Sequence, residues 1–240
     1  IIGVQGVIME FGIRWGQNLG LFSAMRGIYD PFNRQRKIIG FDTFQGFPSI
    51  SPEDGTSDMM KPNNLAVADG YAEYLSQILK AHESLNPLSH LDKFKLCAGD
   101  GPQELEKYLA LAPETIIALA YFDFDLYEPS LKCMELIKDR VTKGSVIGLD
   151  ELNDPDSPGE TKALMEAFGL KNIQLQRFPI ASRVSTSRCI ITIHFLSGCL
   201  YLNSSKSRAP PPRFLSLGCR LFAISSISSL DVCSSCIALS

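Results

Sequence analysis

An α/β domain, a mostly parallel sheet with helices on both faces, is the architecture this sequence predicts. Three observations carry that expectation. Short apolar runs alternate with helical patterns as far as about residue 188, the order a parallel sheet requires. The most distinct run, residues 116–122, leads straight into Tyr121-Phe122-Asp123-Phe124-Asp125-Leu126-Tyr127 and is followed by Pro129 and a helical pattern, which suits a buried parallel strand. The 240 residues, 45% apolar and 20% charged, suffice for one sizeable domain with an appendage.

Taken in order, residues 4–10 read as a first strand ending on Glu10, and a helix is expected over 17–29. The turn between them holds Gly12 and Gly16, which let the backbone approach a ligand at a helix N-terminus. The pattern is ExGxxxG rather than the GxGxxG of dinucleotide sites, and an acid at the strand tip would repel a pyrophosphate. Residues 37–42 form a second strand ending on Asp42, a position that commonly accepts hydrogen bonds from ribose hydroxyls. Residues 44–64, rich in Pro, Gly, Ser and Asp, read as a loop of the length that marks a lid or a disordered insertion. A helix over 68–82 follows, with Tyr71, Tyr74, Leu75, Ile78 and Leu79 on one face. His82 and His90 near its end have no partner at metal-ligand spacing and read as surface or capping residues.

Residues 94–100 read as a third strand ending in Gly99-Asp100, and 102–109 as a helix. After the 116–122 strand come a helix over 130–140, a strand over 144–151 and a helix over 160–168. Residues 173–178 alternate as a sixth strand would, and a last strand is placed near Val184 or over 190–193.

The acids at the strand ends are the main functional signal. Asp123 and Asp125 would share a face if the strand ran through both; if it ends at Asp123, the second lies in the loop. With Asp150-Glu151 after the next strand, they make a candidate metal site beyond the carboxyl ends of the sheet, where open α/β sheets bind ligands.

Charge and cysteine are unevenly spread. The first 166 residues carry 15 basic and 25 acidic groups, whereas Asp231 is the only acid after Glu166. An acidic main domain disfavours nucleic acid as a partner. Cys97 and Cys133 are sparse, as in a reducing cytoplasmic setting, and Cys233-Ser-Ser-Cys236 lacks the second pair and the strand–helix context of a zinc or redox site. The apolar run 189–201 is interrupted and too short to span a bilayer, so no membrane partner is expected. The chain starts Ile1-Ile2-Gly3 without Met or a signal-peptide pattern and reads as a fragment. Residues 1–188 are therefore expected to be the domain, with a lid-like insertion over about 44–91. Residues 189–240 read as an atypical Ser/Cys-rich tail, non-native or disordered, with a basic interaction tail as the alternative.

Four segments together resemble the macrocin-type sugar O-methyltransferases, which methylate sugar hydroxyls of macrolides and novobiocin. They are Glu10-Phe11-Gly12 with Gly16, Gly40-Phe41-Asp42-Thr43-Phe44-Gln45-Gly46-Phe47-Pro48, Asp123-Phe124-Asp125-Leu126-Tyr127-Glu128, and Asp150-Glu151. The resemblance covers roughly residues 3–185, and the DxDLYE segment with the second acidic pair is its most specific part. It implies a Rossmann-like class I methyltransferase fold of seven strands, the last antiparallel, with S-adenosylmethionine bound over the strand tips. It places Glu10 and Gly12, in the loop closed by Gly16, against the methionine moiety, Asp42 on the ribose, and Gly99-Asp100 near the adenine. It implies that Asp123, also counted beside the cofactor, joins Asp150 and Glu151 in binding magnesium, and that Asp125 is the general base. Relatives often have Asp-Asp where this chain has Asp150-Glu151, a side chain one methylene longer. The implied substrate is a small molecule containing a sugar, and homo-oligomer formation is an expectation of the same kind.

Two other readings share the sheet. A nicotinamide-dependent reductase would need GxGxxG and a Tyr-x-x-x-Lys pair placed for proton relay. A catalytically impaired nucleoside-binding module of the same fold would have little use for both acidic pairs.

Overall fold

The computed structural model describes residues 3–173 and 175. Five strands lie among them: β1 (Val7–Phe11), β2 (Ile38–Asp42), β3 (Phe94–Ala98), β4 (Ile117–Phe122) and β5 (Val141–Leu149). All four pairings are parallel, in the order β3-β2-β1-β4-β5. Five helices connect or follow them: α1 (Gln17–Tyr29), α2 (Tyr71–Ser84), α3 (Gly101–Leu111), α4 (Tyr127–Ile137) and α5 (Gly159–Phe168). The strand order reverses between β1 and β4, so the tips of these two strands flank the crevice where doubly wound sheets bind ligands.

Alternation along the strands sorts the core into two faces. Met9, Phe11, Ile39, Phe41, Ala120 and Phe122 pack with α3, α4 and α5 through residues such as Leu105, Met134, Ile137 and Leu164. Ile8 and Ile38 point the other way, onto Ile13, Leu19, Leu75 and Leu79 of the α1–α2 layer. Glu10 shares the parity of Ile8 and is the acid on that face of β1. Phe11 stacks on Phe41 and Phe122 at centroid separations of 5.1 and 4.6 Å, which holds three strand tips together beneath the crevice.

Beneath α1 and α2, the guanidinium of Arg26 and the ammonium of Lys93 pair with the Glu83 carboxylate, all three buried. Arg26 also donates to the carbonyls of Arg36 and Lys93, so the opposite charges and the hydrogen bonds offset the desolvation of the group.

The expected helix over 17–29 is α1 with the same limits, and the other helices shift by a few residues. The helix expected over 130–140 starts earlier, because Leu126 already has extended cap geometry, and it ends in a 3-10 turn, Lys138–Arg140. On α2, Leu75 and Leu79 are buried as expected, but Tyr74 is 57% exposed beside Tyr71. The stretch expected to be a structureless loop contains a 3-10 turn, Pro52–Asp54, and a small core in which Phe47 and Met60 bury themselves against Leu126. The five parallel strands agree with a Rossmann-like fold; the remaining strands expected over 173–178 and beyond, and the tail, lie outside the described residues.

Candidate active site

The tips of β1, β2 and β4, with the loops after β3 and β5, enclose a cavity of about 720 Å³. Its walls include Gly12, Asp42, Asp100, Asp123, Asp125, Asp150 and Glu151, bringing seven of the sequence-predicted residues together. Glu10, Gly16 and Gly99 do not line it.

The loop after β1 is built around backbone contacts. Gly12 has φ +89°, and a Cβ there would lie 1.9 Å from the carbonyl oxygen of Asp123. The glycine thus allows the β1 and β4 tips to meet, a nearer constraint than approach to a ligand. Asp42 latches the same loop: its Oδ2 accepts from the N–H groups of Ile13 and Arg14 at 2.6 and 2.7 Å, and its Oδ1 from Phe44 N–H at 2.7 Å. A carboxylate offers about four acceptor positions, so three backbone donors leave about one for a ligand hydroxyl. Glu10 lies inside the wall, fully buried and hydrogen-bonded to Asn18, a cavity residue. Burial, then the charge of Asp123, pushes its carboxyl well above the usual carboxylate range. Asp100 caps α3 by accepting from Gln103 N–H at 3.1 Å, while the Gly99 N–H bonds the carbonyl of Asp42.

At the centre β4 ends at Phe122, so Asp125 belongs to the loop and not to a shared strand face with Asp123. Asp123 donates its N–H to the Phe11 carbonyl at 2.7 Å. Burial, joined by repulsion from Asp150, Glu151 and Asp42, pushes its carboxyl up to about 7, against a smaller opposing effect of Arg14. Asp125 is 7% exposed and has φ +61°, the left-handed region. Burial and the charges of Glu151, Asp123 and Asp150 raise its carboxyl as well. Asp150 Oδ1 accepts a 2.6 Å hydrogen bond from the hydroxyl of Tyr121, whose own ionisation is suppressed by burial and by that bond.

Among the described residues no three His, Cys, Asp or Glu side chains are arranged to hold a metal ion. Asp123, Asp150 and Glu151 share the cavity wall.

Two buried acids supporting this site escape sequence reasoning. Glu160 of α5 accepts from the N–H groups of Phe124 and Asp125, and Asp54 accepts from the N–H of Tyr127. The cavity also takes Trp15, the only tryptophan of the chain, from the glycine loop.

The crystal structure of CalS11, a calicheamicin methyltransferase, is 42% identical to this chain with a TM-score of 0.75, covering 79% of this chain and 73% of that one. The chain belongs to the sugar O-methyltransferases of the class I S-adenosylmethionine-dependent family. An apo structure of CalS11, a TDP-rhamnose 3'-O-methyltransferase, is similar at 39% identity and a TM-score of 0.67 over the same shares. The O-methyltransferase NovP, at 22% identity and a TM-score of 0.56 over 78% of this chain and 72% of its own, shows the shared fold. No protein-family model and no curated protein sequence matches the chain. Membership in this O-methyltransferase family makes the chain an enzyme that methylates hydroxyls with S-adenosylmethionine, and it displaces the reductase reading. Among the described residues no helix is long and apolar enough to cross a membrane.

Proposed function

We propose that this O-methyltransferase acts on a hydroxyl of a sugar or of a glycosylated small molecule, with magnesium assisting and Asp125 as the base. The observation that carries the reading is the convergence of Asp123, Asp125, Asp150 and Glu151 on one cavity at the β1/β4 switch point of a chain 42% identical to CalS11. On this reading, S-adenosylmethionine lies over the β1 and β2 tips. Asn18 and Glu10 serve the methionine end beside Gly12, in the loop that Gly16 closes. Asp42 offers its remaining acceptor position to the ribose, and Gly99-Asp100 borders the adenine. An acidic cavity suits a sulfonium cation and repels nucleic acid.

The donor set fits magnesium. All three side chains offer hard oxygens, and a cation would relieve the repulsion from Asp150 and Glu151 that adds to burial in raising the Asp123 carboxyl. Asp123, Asp150 and Glu151 would hold the ion, which when bound supplies a Lewis acid for the acceptor hydroxyl. Asp125 takes the hydroxyl proton as the oxygen–methyl bond forms and the sulfur–methyl bond breaks, leaving S-adenosylhomocysteine. Burial and then the charges of Glu151, Asp123 and Asp150 raise the Asp125 carboxyl, and a bound cation would offset the contribution of those charges. The walls from Phe47, Met59 and Leu65 belong to the connection after β2, which on this reading selects the acceptor. The free, buried Cys97 and Cys133 thiols suit a reducing cytoplasm, and the methyltransferase domain is assigned to residues 1–188 on the same reading.

Calorimetric titration of S-adenosylmethionine into the full chain, with and without magnesium, tests the pocket and the ion together. Micromolar binding is expected without metal. Methyl transfer to TDP-rhamnose, used as a probe acceptor, is then expected to depend on magnesium and to stop with chelator. A folded chain that binds no S-adenosylmethionine would sink the reading, and transfer indifferent to chelator would remove magnesium from it.

A further inference from the structure

Resting on the reading of Asp125 as the base, we propose that Glu160 is the positioning residue for it. Glu160 is the second residue of α5, is fully buried, and is absent from the cavity wall, so it meets no ligand directly. Its Oε1 accepts from two successive N–H groups, those of Phe124 at 2.8 Å and Asp125 at 3.2 Å. Successive N–H groups converging on one anion form a nest, and here the nest contains the left-handed residue Asp125. That backbone conformation is unfavourable for a side chain with a Cβ and persists where surroundings impose it. The Glu160 carboxylate captures the peptide N–H on each side of Phe124 and so fixes the backbone that leads into Asp125.

Two further features show that the start of α5 is fitted to this loop. A Cβ on Gly159 would come within 2.7 Å of both Asp54 Oδ1 and Tyr127 N, and 3.0 Å of the Asp125 carbonyl oxygen. The bare backbone therefore lets α5 sit against the loop. The other Glu160 oxygen, Oε2, is buried without a hydrogen-bond partner. A buried acid with one oxygen unused is a poor device for stability alone, whereas the bonds of the other oxygen fix the orientation of the base. Charge repulsion from Glu160 towards Asp125 and Asp123 acts over the same short path.

The test uses Glu160→Gln, which keeps an acceptor, and Glu160→Met, of similar size without one. Glu160→Asp withdraws the acceptor by one methylene and repeats the test with less disturbance. Readouts are hydrogen exchange at the Phe124 and Asp125 amides, S-adenosylmethionine affinity, and kcat and KM with TDP-rhamnose as probe acceptor. Glu160→Gln is expected to protect both amides and keep kcat within about threefold, whereas Glu160→Met and Glu160→Asp expose them and lower kcat by roughly 10- to 100-fold at unchanged cofactor affinity. In an Asp125→Asn background, Glu160→Met should cause no further loss, since both changes act on one group. Amides as protected in Glu160→Met as in the wild type, or an equal loss in both backgrounds, would overturn the proposal. Full turnover by Asp125→Asn would instead overturn the base assignment, while the exchange measurement still decides whether Glu160 holds the loop.

Discussion

The carboxylate of Asp54 accepts a hydrogen bond of 2.6 Å from the backbone N–H of Tyr127, joining positions 73 residues apart. It ties the connection after β2 to the first turn of α4, where free N–H groups and the helix dipole favour an anion. The other oxygen of Asp54 accepts from the N–H and hydroxyl of Ser51, so the side chain is satisfied at both ends. Asp54→Ala leaves the Tyr127 N–H without its acceptor and should cost about 1–3 kcal/mol. Because the same connection supplies Phe47 and Met59 to the cavity, the acceptor KM should rise more than kcat falls. Thermal melts and steady-state kinetics check both points. A variant that melts with the wild type and keeps its KM would show that the connection is held elsewhere.

Gly12 supports a sharper prediction. An added Cβ meets the Asp123 carbonyl at 1.9 Å, and the φ of +89° is itself strained for any other residue. Gly12→Ala should destabilise the chain by about 1–3 kcal/mol from the backbone alone, and by more from the clash. The displaced Asp123 tip should also weaken cofactor binding. Urea unfolding and calorimetry measure the two losses, and an Ala variant with neither would contradict the packing of β1 against β4.

The latch formed by Asp42 separates two contributions to cofactor affinity. Asp42→Ala removes the acceptor proposed for the ribose and also frees the N–H groups of Ile13 and Arg14. Hydrogen bonds to a charged group are worth about 1.5–3 kcal/mol, so the dissociation constant for S-adenosylmethionine should rise by roughly 10- to 100-fold. Magnesium binding should be unchanged. Asp42→Asn keeps one carbonyl acceptor and should lose less. Amide exchange at Ile13 and Arg14 reports the loop, and equal loss of magnesium and cofactor binding would mean general misfolding instead.

These contacts mark where sequence reasoning stops. Local patterns were enough for β1, α1 and β2 and for the acids at their tips, because alternation, glycine spacing and strand-end chemistry act within a few residues. Asp123 and Asp125 were read from the same strand-end signal, whereas the DxDLYE segment as a whole was read through its resemblance to a family. Glu160 and Asp54 were not legible: each bonds a backbone N–H 35 or more positions away, and a lone Glu in a helix or Asp in a turn carries no local sign of it. The pairing of Arg26 and Lys93 with Glu83 was hidden in the same way, since each charge taken singly reads as a solvated face. Tyr74 misled in the opposite direction. Its spacing matches the buried stripe of α2, but the helix turns it towards solvent beside Tyr71.

The acids of the cavity also set how stability depends on pH. Asp123 titrates at about 7 in the folded chain instead of near 3.8, and Glu10, Asp125 and Glu160 are raised too, each chiefly by burial. A raised carboxyl means that the folded state binds the proton more tightly than the unfolded state does. For Asp123 the associated stability is fully present below about pH 3.8 and is lost as pH rises through about 7. The ligand-free chain should therefore melt several degrees lower at pH 8 than at pH 5.5. Asp123→Asn removes the charge that the site resists and should flatten the slope, raising the melting temperature at pH 8. Magnesium added at pH 8 should recover much of the wild-type loss and little of anything in Asp123→Asn, since the ion needs the ionised carboxylate. Melting curves at both pH values, with and without magnesium, provide the four comparisons for each chain. A wild-type chain whose melting temperature rises from pH 5.5 to 8 without metal would show that other titrations outweigh this cluster. Equal magnesium stabilisation of both chains would place the ion away from Asp123.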